Sequence, residues 1–212
     1  MPDNIVDRLV ETFRHFPGIG PRQARRFVYH LLHGGKGMID RFAGDLRELQ
    51  ATVTQCEQCF RFYSSGGQAK ICDLCADFSR DQTTLMIVEK DADLEAIRQS
   101  GTYQGRFFIL GGLVPILEKE PQTKIRLREL TTMITKRLMG DKSAKLKEAI
   151  VALAVNPEGD HTVEFLKQTL GEFGKSGLKL SVLGRGLSTG TELEYSDVET
   201  IRNALRNRSS QF

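Results

Sequence analysis

The sequence predicts an α+β protein that is made of several units. Apolar residues recur at helical spacing in the first fifty positions, whereas short apolar runs alternate with amphipathic segments after residue 76. The only cysteines of the chain lie between these two regions, as Cys56, Cys59, Cys72 and Cys75. This order predicts an N-terminal helical unit, a small four-cysteine unit and then an α/β unit with a mainly parallel sheet.

The helical unit begins with an amphipathic pattern over residues 5–16, which should end at Pro17. Residues 17–21 read Pro-Gly-Ile-Gly-Pro, in which two glycines allow a tight turn and Pro21 suits the first turn of a new helix. This is the signature of a helix-hairpin-helix. After a break at 34–37, a further helix is predicted from the apolar spacing of Met38, Phe42, Leu46 and Leu49.

The hairpin lies in a stretch that is locally basic. Residues 12–39 contain no Asp or Glu, but they include Arg14, Arg22, Arg25, Arg26 and Lys36. The amides of the turn and of the following helix can hold a DNA phosphate, and Arg22, Arg25 or Arg26 would add charge that reads no base sequence. The alternative interpretation is an ordinary interhelical turn beside a solvated basic face.

The four cysteines form two Cys-x-x-Cys pairs with twelve residues between them, which is typical of a zinc ribbon. Each pair points two thiolates inward, and two facing pairs supply the tetrahedral sulfur shell that Zn²⁺ prefers. A redox-active pair is the alternative, but it would need one pair beside a strand and a helix. Because protein side chains fill all four positions, we expect a structural zinc ion and not a catalytic one.

Composition limits the class of protein. With 212 residues, of which 40% are hydrophobic and 27% charged, the chain can bury a sizeable core, and no apolar run is long enough for a membrane span. The start of the chain has no signal-peptide pattern, so we expect a cytoplasmic protein with reduced thiols. The net charge of +3 decides little, and a nucleic-acid partner must be argued from local clusters.

The region after the cysteines alternates predicted strands with predicted helices, an order that implies a mainly parallel sheet. The strands are expected at 84–89, 106–110, 149–155 and 178–183. The helices are expected near 94–99 and at 125–139 and 163–173.

Acidic and amide side chains follow two of these strands, at the edge where open parallel sheets bind their ligands. They are Glu89, Asp91, Asp93, Asn156, Glu158 and Asp160. One interpretation is a Mg²⁺ site, which would permit phosphoryl-transfer chemistry. The other, which we favour for Asp91 and Asp160, is that these residues are helix caps and first-turn acids stabilised by the helix dipole.

Several segments of the chain occur together in one known family. They are Pro-Gly-Ile-Gly-Pro at 17–21, the four-cysteine knuckles, Val88-Glu89, Asn156-Pro157 and Gly-Leu-Ser-Thr-Gly-Thr-Glu-Leu-Glu-Tyr at 186–195. In order and spacing these segments resemble the bacterial RecR recombination mediators, across nearly the whole chain. Two local departures are a shorter loop at 156–160 and a different sequence after Leu110.

The resemblance implies four parts and a set of site residues. The parts are a helix-hairpin-helix DNA-binding unit at 1–54, a four-cysteine zinc finger at 55–79, a Toprim-like α/β domain at 80–183 and a C-terminal helical extension at 184–212. The implied roles are zinc ligands for the four cysteines, DNA contacts for Arg22 and Arg26, and partner binding or a structural role for Glu89 and Asp93.

The resemblance also implies a function without catalytic turnover. The expected protein is a DNA-binding recombination mediator in DNA repair, which forms a homo-oligomeric ring and works with RecO and RecF to help load RecA at single-stranded gaps. It would bind single-stranded, gapped or double-stranded DNA without sequence preference. The main alternative is a Mg²⁺-dependent Toprim nuclease that uses Glu89, Asp91 and Asp93, and a third is a protein-interaction module without DNA affinity.

Overall fold

The computed structural model describes residues 4–66, 69–140, 145–184, 198 and 200–202. The expected C-terminal helical extension lies outside the described residues, apart from the few positions just named. The family segment at 186–195 lies wholly outside them. The fold described below is therefore that of the two regions that precede this extension.

The chain divides into two compact units. The first contains residues 1–54 and 64–68, and the second contains residues 55–63 and 69–212. All four cysteines thus belong to the same compact unit as the parallel sheet. The division into four parts that the sequence suggested stays a prediction.

Three helices build the first unit, which confirms the predicted helix-hairpin-helix order. They are α1 (Ile5–Arg14), α2 (Pro21–His33) and α3 (Gly35–Thr52). Val10, Ala24 and Val28 are buried at the centre of the α1–α2 pair. The break predicted at 34–37 is shorter than expected, because Gly35 takes a φ of +70° and α3 already begins at this residue.

The cysteine-bearing segment has little regular structure. Two strands of three residues each, β1 (Val53–Gln55) and β2 (Phe62–Ser64), form a two-stranded sheet. The single turn of helix α4 (Asp73–Ala76) follows. Elements this short carry too few residues to show a hydrophobic period, so the sequence pattern did not predict them individually.

A four-stranded parallel sheet forms the centre of the second unit, as the alternating pattern predicted. Its strands are β3 (Asp81–Val88), β4 (Gly105–Ile109), β5 (Glu148–Ala152) and β6 (Lys179–Val182), in the spatial order β4-β3-β5-β6. The connecting helices are α5 (Asp91–Ser100), α6 (Leu127–Leu138) and α7 (Pro157–Leu170), with 3₁₀ helices at Pro121–Thr123 and Gly171–Ser176. In the described part of the chain, no helix is both long and apolar enough to cross a bilayer.

The central strand β3 is buried on both faces of the sheet. Leu85 and Ile87 belong to one core, which residues of α6 and α7 complete. Met86 and Val88 belong to a second core, which includes Leu94 of α5. Because both faces are covered there, the second half of this strand, Leu85–Val88, is a continuous apolar run instead of an alternating one. Each fully buried large side chain contributes about 1.5–3 kcal/mol.

Two element boundaries around the Asn-Pro sequence differ from the prediction. Strand β5 stops at Ala152, and Val155, which was expected to lie in the strand, is 65% exposed. Helix α7 begins at Pro157 and not at 163, because Asn156 caps it. The Asn156 side-chain oxygen accepts a hydrogen bond from the Gly159 N–H at 2.7 Å, and Pro157 suits the first helical position.

We predict that Gly159→Ala destabilises the second unit by about 1–3 kcal/mol, because the added carbon would overpack a closed site. A Cβ at the buried Gly159 would lie 1.9 Å from the carbonyl oxygen of Ala154, so the backbone must shift. Gly174→Ala is the matched control, since a Cβ there meets nothing within 4 Å. Denaturant unfolding of both variants tests this, and an equal shift of the two midpoints would contradict it.

Candidate metal centre and nucleic-acid interface

The four cysteine side chains converge in the second unit. All four are buried, and their sulfur atoms lie within 4.8 Å of one another. None of the four forms a disulfide. Cys56 and Cys59 lie between β1 and β2, Cys72 immediately precedes α4 and Cys75 lies within it. The two knuckles that the spacing predicted are therefore brought together as one cluster.

Local backbone hydrogen bonds shape each knuckle. In the first, the Cys56 N–H donates to the Arg61 carbonyl oxygen at 2.9 Å, and the Phe60 N–H donates to the Cys56 carbonyl oxygen at 3.0 Å. In the second, the Cys75 N–H donates to the Cys72 carbonyl oxygen at 3.0 Å. The Cys72 N–H also donates to the Cys56 sulfur at 3.4 Å, so the second knuckle bonds directly to the first.

Four sulfur atoms this close cannot all be thiolates unless a cation neutralises them. Hydrogen bonding from the Cys59 thiol lowers the pKa of Cys56, and the same interaction raises the pKa of Cys59. A coordinated metal ion removes this conflict, because it deprotonates the thiols that bind it. Four converging sulfur donors fit a thiolate-preferring ion and do not fit Mg²⁺ or Ca²⁺, which prefer oxygen.

The first knuckle is bonded to the edge of the parallel sheet. Phe60 has a φ of +64°, which is uncommon for a residue other than glycine, and its ring packs against Phe108 with 5.4 Å between ring centroids. The Arg126 guanidinium lies 5.3 Å from the centroid of the Phe60 ring. At the end of β4, the Ile109 N–H donates to the Cys59 carbonyl oxygen at 2.9 Å. Sequence reasoning missed Phe60, because nothing in the sequence around an aromatic residue signals a left-handed backbone.

The hairpin of the first unit presents a helix N-terminus without a side-chain cap. Gly18 takes a φ of +75°, and the Ile19 N–H donates to the Phe16 carbonyl oxygen at 3.1 Å to close the turn. Helix α2 then begins at Pro21, with no capping side chain and no acidic residue in its first turn. The first amides of this helix can therefore bind an anion.

The two predicted DNA contacts lie beside this turn. Arg22 and Arg26 are both exposed and stand four residues apart on α2, which places them on the same side of the helix. Among the described residues, no ion pair involves Arg22, Arg25 or Arg26. Their positive charge is thus available at the surface, and their role in DNA binding stays a prediction.

The acids at the carboxyl edge of the sheet have separate local partners. Glu89 follows β3 and lies 3.7 Å from the Lys90 ammonium. Asp91 accepts a hydrogen bond from the Phe62 N–H at 2.8 Å, and Asp93 accepts one from the Lys90 N–H at 3.2 Å as part of a capping box. These contacts confirm that Asp91 is a first-turn acid and show that its carboxylate also binds the cysteine-bearing segment.

The acids that follow β5 also lie in the first turn of a helix. Glu158 and Asp160 lie in the first turn of α7, which Asn156 caps, so the interpretation of Asp160 as a first-turn acid is confirmed. Within the described residues, the cysteine cluster is the one group of three or more His, Cys, Asp or Glu whose ligand atoms converge. The acids of the alternative Mg²⁺ site do not form such a group among the described residues.

Comparison with known proteins identifies the family. A family model described as RecR, helix-hairpin-helix matches residues 6–49, and a Toprim domain model matches residues 83–184. The recombination protein RecR of Legionella pneumophila is 34% identical over 209 residues, which cover 99% of this chain and 98% of that protein. The chain belongs to the RecR family. RecR proteins of Bdellovibrio bacteriovorus and Chlorobium limicola are 33% and 32% identical over 96% and 97% of this chain, and 96% of each of those proteins is covered.

The RecR family match agrees with both units of the structure. The helix-hairpin-helix match spans α1, α2 and most of α3, and the Toprim match begins within β3 and ends just after β6. The four cysteines lie between the two matched ranges. The predicted family and the predicted fold are therefore both confirmed.

We predict that Cys72→Ser lowers the bound metal of this RecR-family protein well below one ion per chain and destabilises the second unit. Folding around a structural metal is coupled to its binding, so loss of one thiolate weakens both. Metal content by mass spectrometry and thermal unfolding with and without a chelator check this. Chelation should destabilise the unmodified protein and leave the variant almost unchanged. A variant with full metal content and unchanged stability would contradict the prediction.

Proposed function

We infer that this protein is a DNA-binding recombination mediator that acts without catalytic turnover. It would work in the cytoplasm with RecO and RecF, and it would help to load RecA at single-stranded gaps during DNA repair. The observation that carries this proposal is the pair of exposed arginines, Arg22 and Arg26, beside the uncapped hairpin of α2. The relatives reported above are named recombination proteins, which supports the same role.

The chemistry of the hairpin favours binding to the DNA backbone. Amides at a helix N-terminus and flanking guanidinium groups recognise phosphate, which every nucleotide carries. Such contacts fix a protein on DNA without reading its bases, so they suit a protein that acts at gaps of any sequence. We therefore propose single-stranded, gapped and double-stranded DNA as ligands, with no sequence preference.

We propose Zn²⁺ as the ion of the four-cysteine cluster. Zinc binds four thiolates in tetrahedral geometry, and a site whose four positions are all filled by protein leaves none for a substrate. The role of the ion would be structural, since the cluster is bonded to β4 through Cys59 and Ile109. Zinc would hold the knuckles closed and thereby keep the first knuckle on the sheet.

The acids of the carboxyl edge are proposed to serve partner binding. Glu89 follows the central strand, and its side chain is 18% exposed, whereas the Asp93 carboxylate also caps α5. Contact with RecO or RecF would therefore depend more directly on Glu89. The competing function is a Mg²⁺-dependent nuclease that uses Glu89 with Asp91 and Asp93, whose carboxylates bind backbone N–H groups in this fold.

We predict that the double variant Arg22→Ala, Arg26→Ala binds DNA about tenfold more weakly or worse, and with a smaller dependence on salt. Each lost phosphate contact releases one counterion fewer, so the slope of log K against log salt should fall by about 1 per contact. Fluorescence anisotropy with labelled gapped DNA over a range of salt concentrations measures both quantities. The control is Lys119→Ala, Lys175→Ala, which removes two exposed cations of the second unit and should leave the slope unchanged.

The same mixtures separate a mediator from a nuclease. With Mg²⁺ present, gapped DNA should stay intact when it is incubated with the unmodified protein or with the Glu89→Ala variant. Cleavage by the unmodified protein that disappears in Glu89→Ala would overturn the mediator proposal. Equal DNA affinity of the hairpin variant and its control would instead show that the hairpin does not bind the backbone.

We propose that subunits close into a ring, to which the N-terminal helical units contribute. Helix α3 has no buried residue, and its apolar side chains Ile39, Phe42, Leu46 and Leu49 are between 40% and 59% exposed in the single chain. They recur at helical spacing and form one apolar stripe. A ring would cover such a stripe, and it would also join several modest phosphate sites at fixed separation, which increases avidity.

The ring proposal predicts that Leu46→Glu reduces the mass of the oligomer in solution. A carboxylate in the middle of the apolar stripe cannot be buried without a partner, so the contact should weaken. Ala51→Glu is the matched control, because it places the same charge on the opposite side of α3. Light scattering with and without DNA measures the mass. A monomer under both conditions in the unmodified protein would contradict the ring.

A further inference from the structure

The second unit contains a cavity of about 750 Å³ that the proposed function does not use. The cysteine-bearing segment, the amino-terminal ends of β3 and β4, and helix α6 line it. Gln82 is the second residue of β3 and Arg106 the second residue of β4, so this wall lies at the end of the strands opposite to Glu89. A cavity of this size is in the range of small-molecule sites.

Two arginines of the cavity wall share one uncharged acceptor. The side-chain oxygen of Gln82 accepts a hydrogen bond from Arg106 Nε at 2.9 Å and one from Arg137 Nη2 at 3.1 Å. Arg106 also donates to the Leu74 carbonyl oxygen, and its side chain is only 7% exposed. Two like charges are thus held at one amide oxygen, an arrangement that is unfavourable unless an anion compensates it.

No carboxylate among the described residues forms an ion pair with Arg106 or Arg137. Burial and the Arg106 charge lower the pKa of Arg137, whereas Cys75 and, more weakly, Tyr103 and Asp81 raise it. The Asp81 oxygens accept hydrogen bonds from Thr83 and Thr84. Every buried side-chain nitrogen in the described part of the chain has a hydrogen-bond partner. The Arg137 nitrogens that have no hydrogen-bond partner among the described residues are therefore accessible, and Arg137 lines the cavity.

The charged residues of the wall are mostly basic. Arg106, Arg128, Lys136 and Arg137 line the cavity, against two acids, Glu57 and Glu129. Glu57 lies 3.6 Å from the Lys70 ammonium, so its charge is already partly compensated. The cavity therefore attracts an anion, and guanidinium groups with free N–H donors suit phosphate in particular.

A metal–thiolate centre is the competing source of negative charge, because Cys75 also lines the cavity. Arg106, however, binds the cysteine-bearing segment through the Leu74 carbonyl oxygen. In the described part of the chain, no hydrogen bond joins Arg106 or Arg137 to a sulfur atom. Cys75 therefore acts on Arg137 through its charge and not through a hydrogen bond. A variant that separates metal loss from ligand loss distinguishes the two roles.

The rim of the cavity offers an aromatic surface. Phe78 lines the cavity and is 90% exposed, which is unusual for a large apolar side chain. Phe60 and Met133 line the same cavity. An exposed aromatic ring beside basic groups is the combination on which a nucleic-acid base stacks while its phosphate is neutralised.

We propose that this cavity binds a phosphate group that carries a planar base, with the phosphate on Arg137 and Arg106 and the base against Phe78. The ligand class is a nucleotide, either free or as one unit of a single strand. This site lies in the second unit and is separate from the hairpin arginines. The proposal for this cavity does not depend on whether the hairpin binds DNA.

The test measures binding of inorganic phosphate and of deoxyadenosine monophosphate to the full-length protein by calorimetry. The mononucleotide should bind more tightly than phosphate. Arg137→Gln should weaken its binding about tenfold or more, because a charge-assisted hydrogen bond is lost. Phe78→Ala should weaken binding of the mononucleotide about fivefold or more and leave the affinity for inorganic phosphate unchanged. Lys175→Gln, which removes an exposed cation elsewhere in the same unit, should change neither.

A second arm distinguishes the source of the nucleotide. In the background Arg22→Ala, Arg26→Ala, a short single-stranded oligonucleotide that competes with the mononucleotide supports a strand as the ligand. Mononucleotide binding without such competition supports a free nucleotide. Either result supports the site.

Three results would overturn the proposal. The first is the absence of saturable mononucleotide binding to the unmodified protein. The second is mononucleotide binding that neither Arg137→Gln nor Phe78→Ala weakens. The third is an Arg137→Gln variant that loses its metal and keeps its affinity for the mononucleotide, which would assign the guanidinium to the metal centre. If Arg137→Gln does not fold, Phe78→Ala decides alone, since its side chain is almost fully exposed.

Discussion

The negative charge of four buried sulfur atoms is the constraint on which the second unit depends. Thiolates within 4.8 Å of one another require a cation, and a bound metal ion in turn holds both knuckles closed. The closed first knuckle keeps Phe60 in its left-handed conformation against Phe108 and presents the Cys59 carbonyl oxygen to Ile109 of β4. The Phe62 N–H is then placed to bind Asp91, so the metal centre, the edge strand and helix α5 support one another.

The two ends of the parallel sheet have opposite chemistry. At the carboxyl end, the carboxylates of Asp91 and Asp93 accept hydrogen bonds from backbone N–H groups. At the amino end, Arg106 and Arg137 meet at the neutral side chain of Gln82. Like charges repel at short range, so an anionic ligand is expected at the basic end. Ligands of open parallel sheets usually bind at the opposite, carboxyl end.

Each feature was predictable to the extent that it left a pattern of apolar residues along the chain. Strand β3 was predicted because a run from Leu85 to Val88 that is buried on both faces must be continuously apolar. Helix α7 was predicted to begin too late, because the apolar spacing begins at Val163, whereas its start depends on the cap at Asn156. The buried state of Arg106 could not be predicted, since the sequence contains thirty Lys and Arg residues and nothing distinguishes this one before Gln82 and Leu74 are placed beside it.

The sequence by itself determined the family, the order of the units, the four metal ligands and the basic hairpin, because spacing along the chain encodes each of them. Two cysteines with two residues between them form a knuckle through local backbone bonds, and the glycine at 18, with its positive φ, permits the hairpin turn wherever the unit lies. Only the tertiary structure decided which charged residues remain available. The Asp91 carboxylate accepts a hydrogen bond from the Phe62 N–H, and Arg137 lines a cavity in which Gln82 is its side-chain hydrogen-bond partner among the described residues. Both outcomes depend on contacts between residues far apart in the chain.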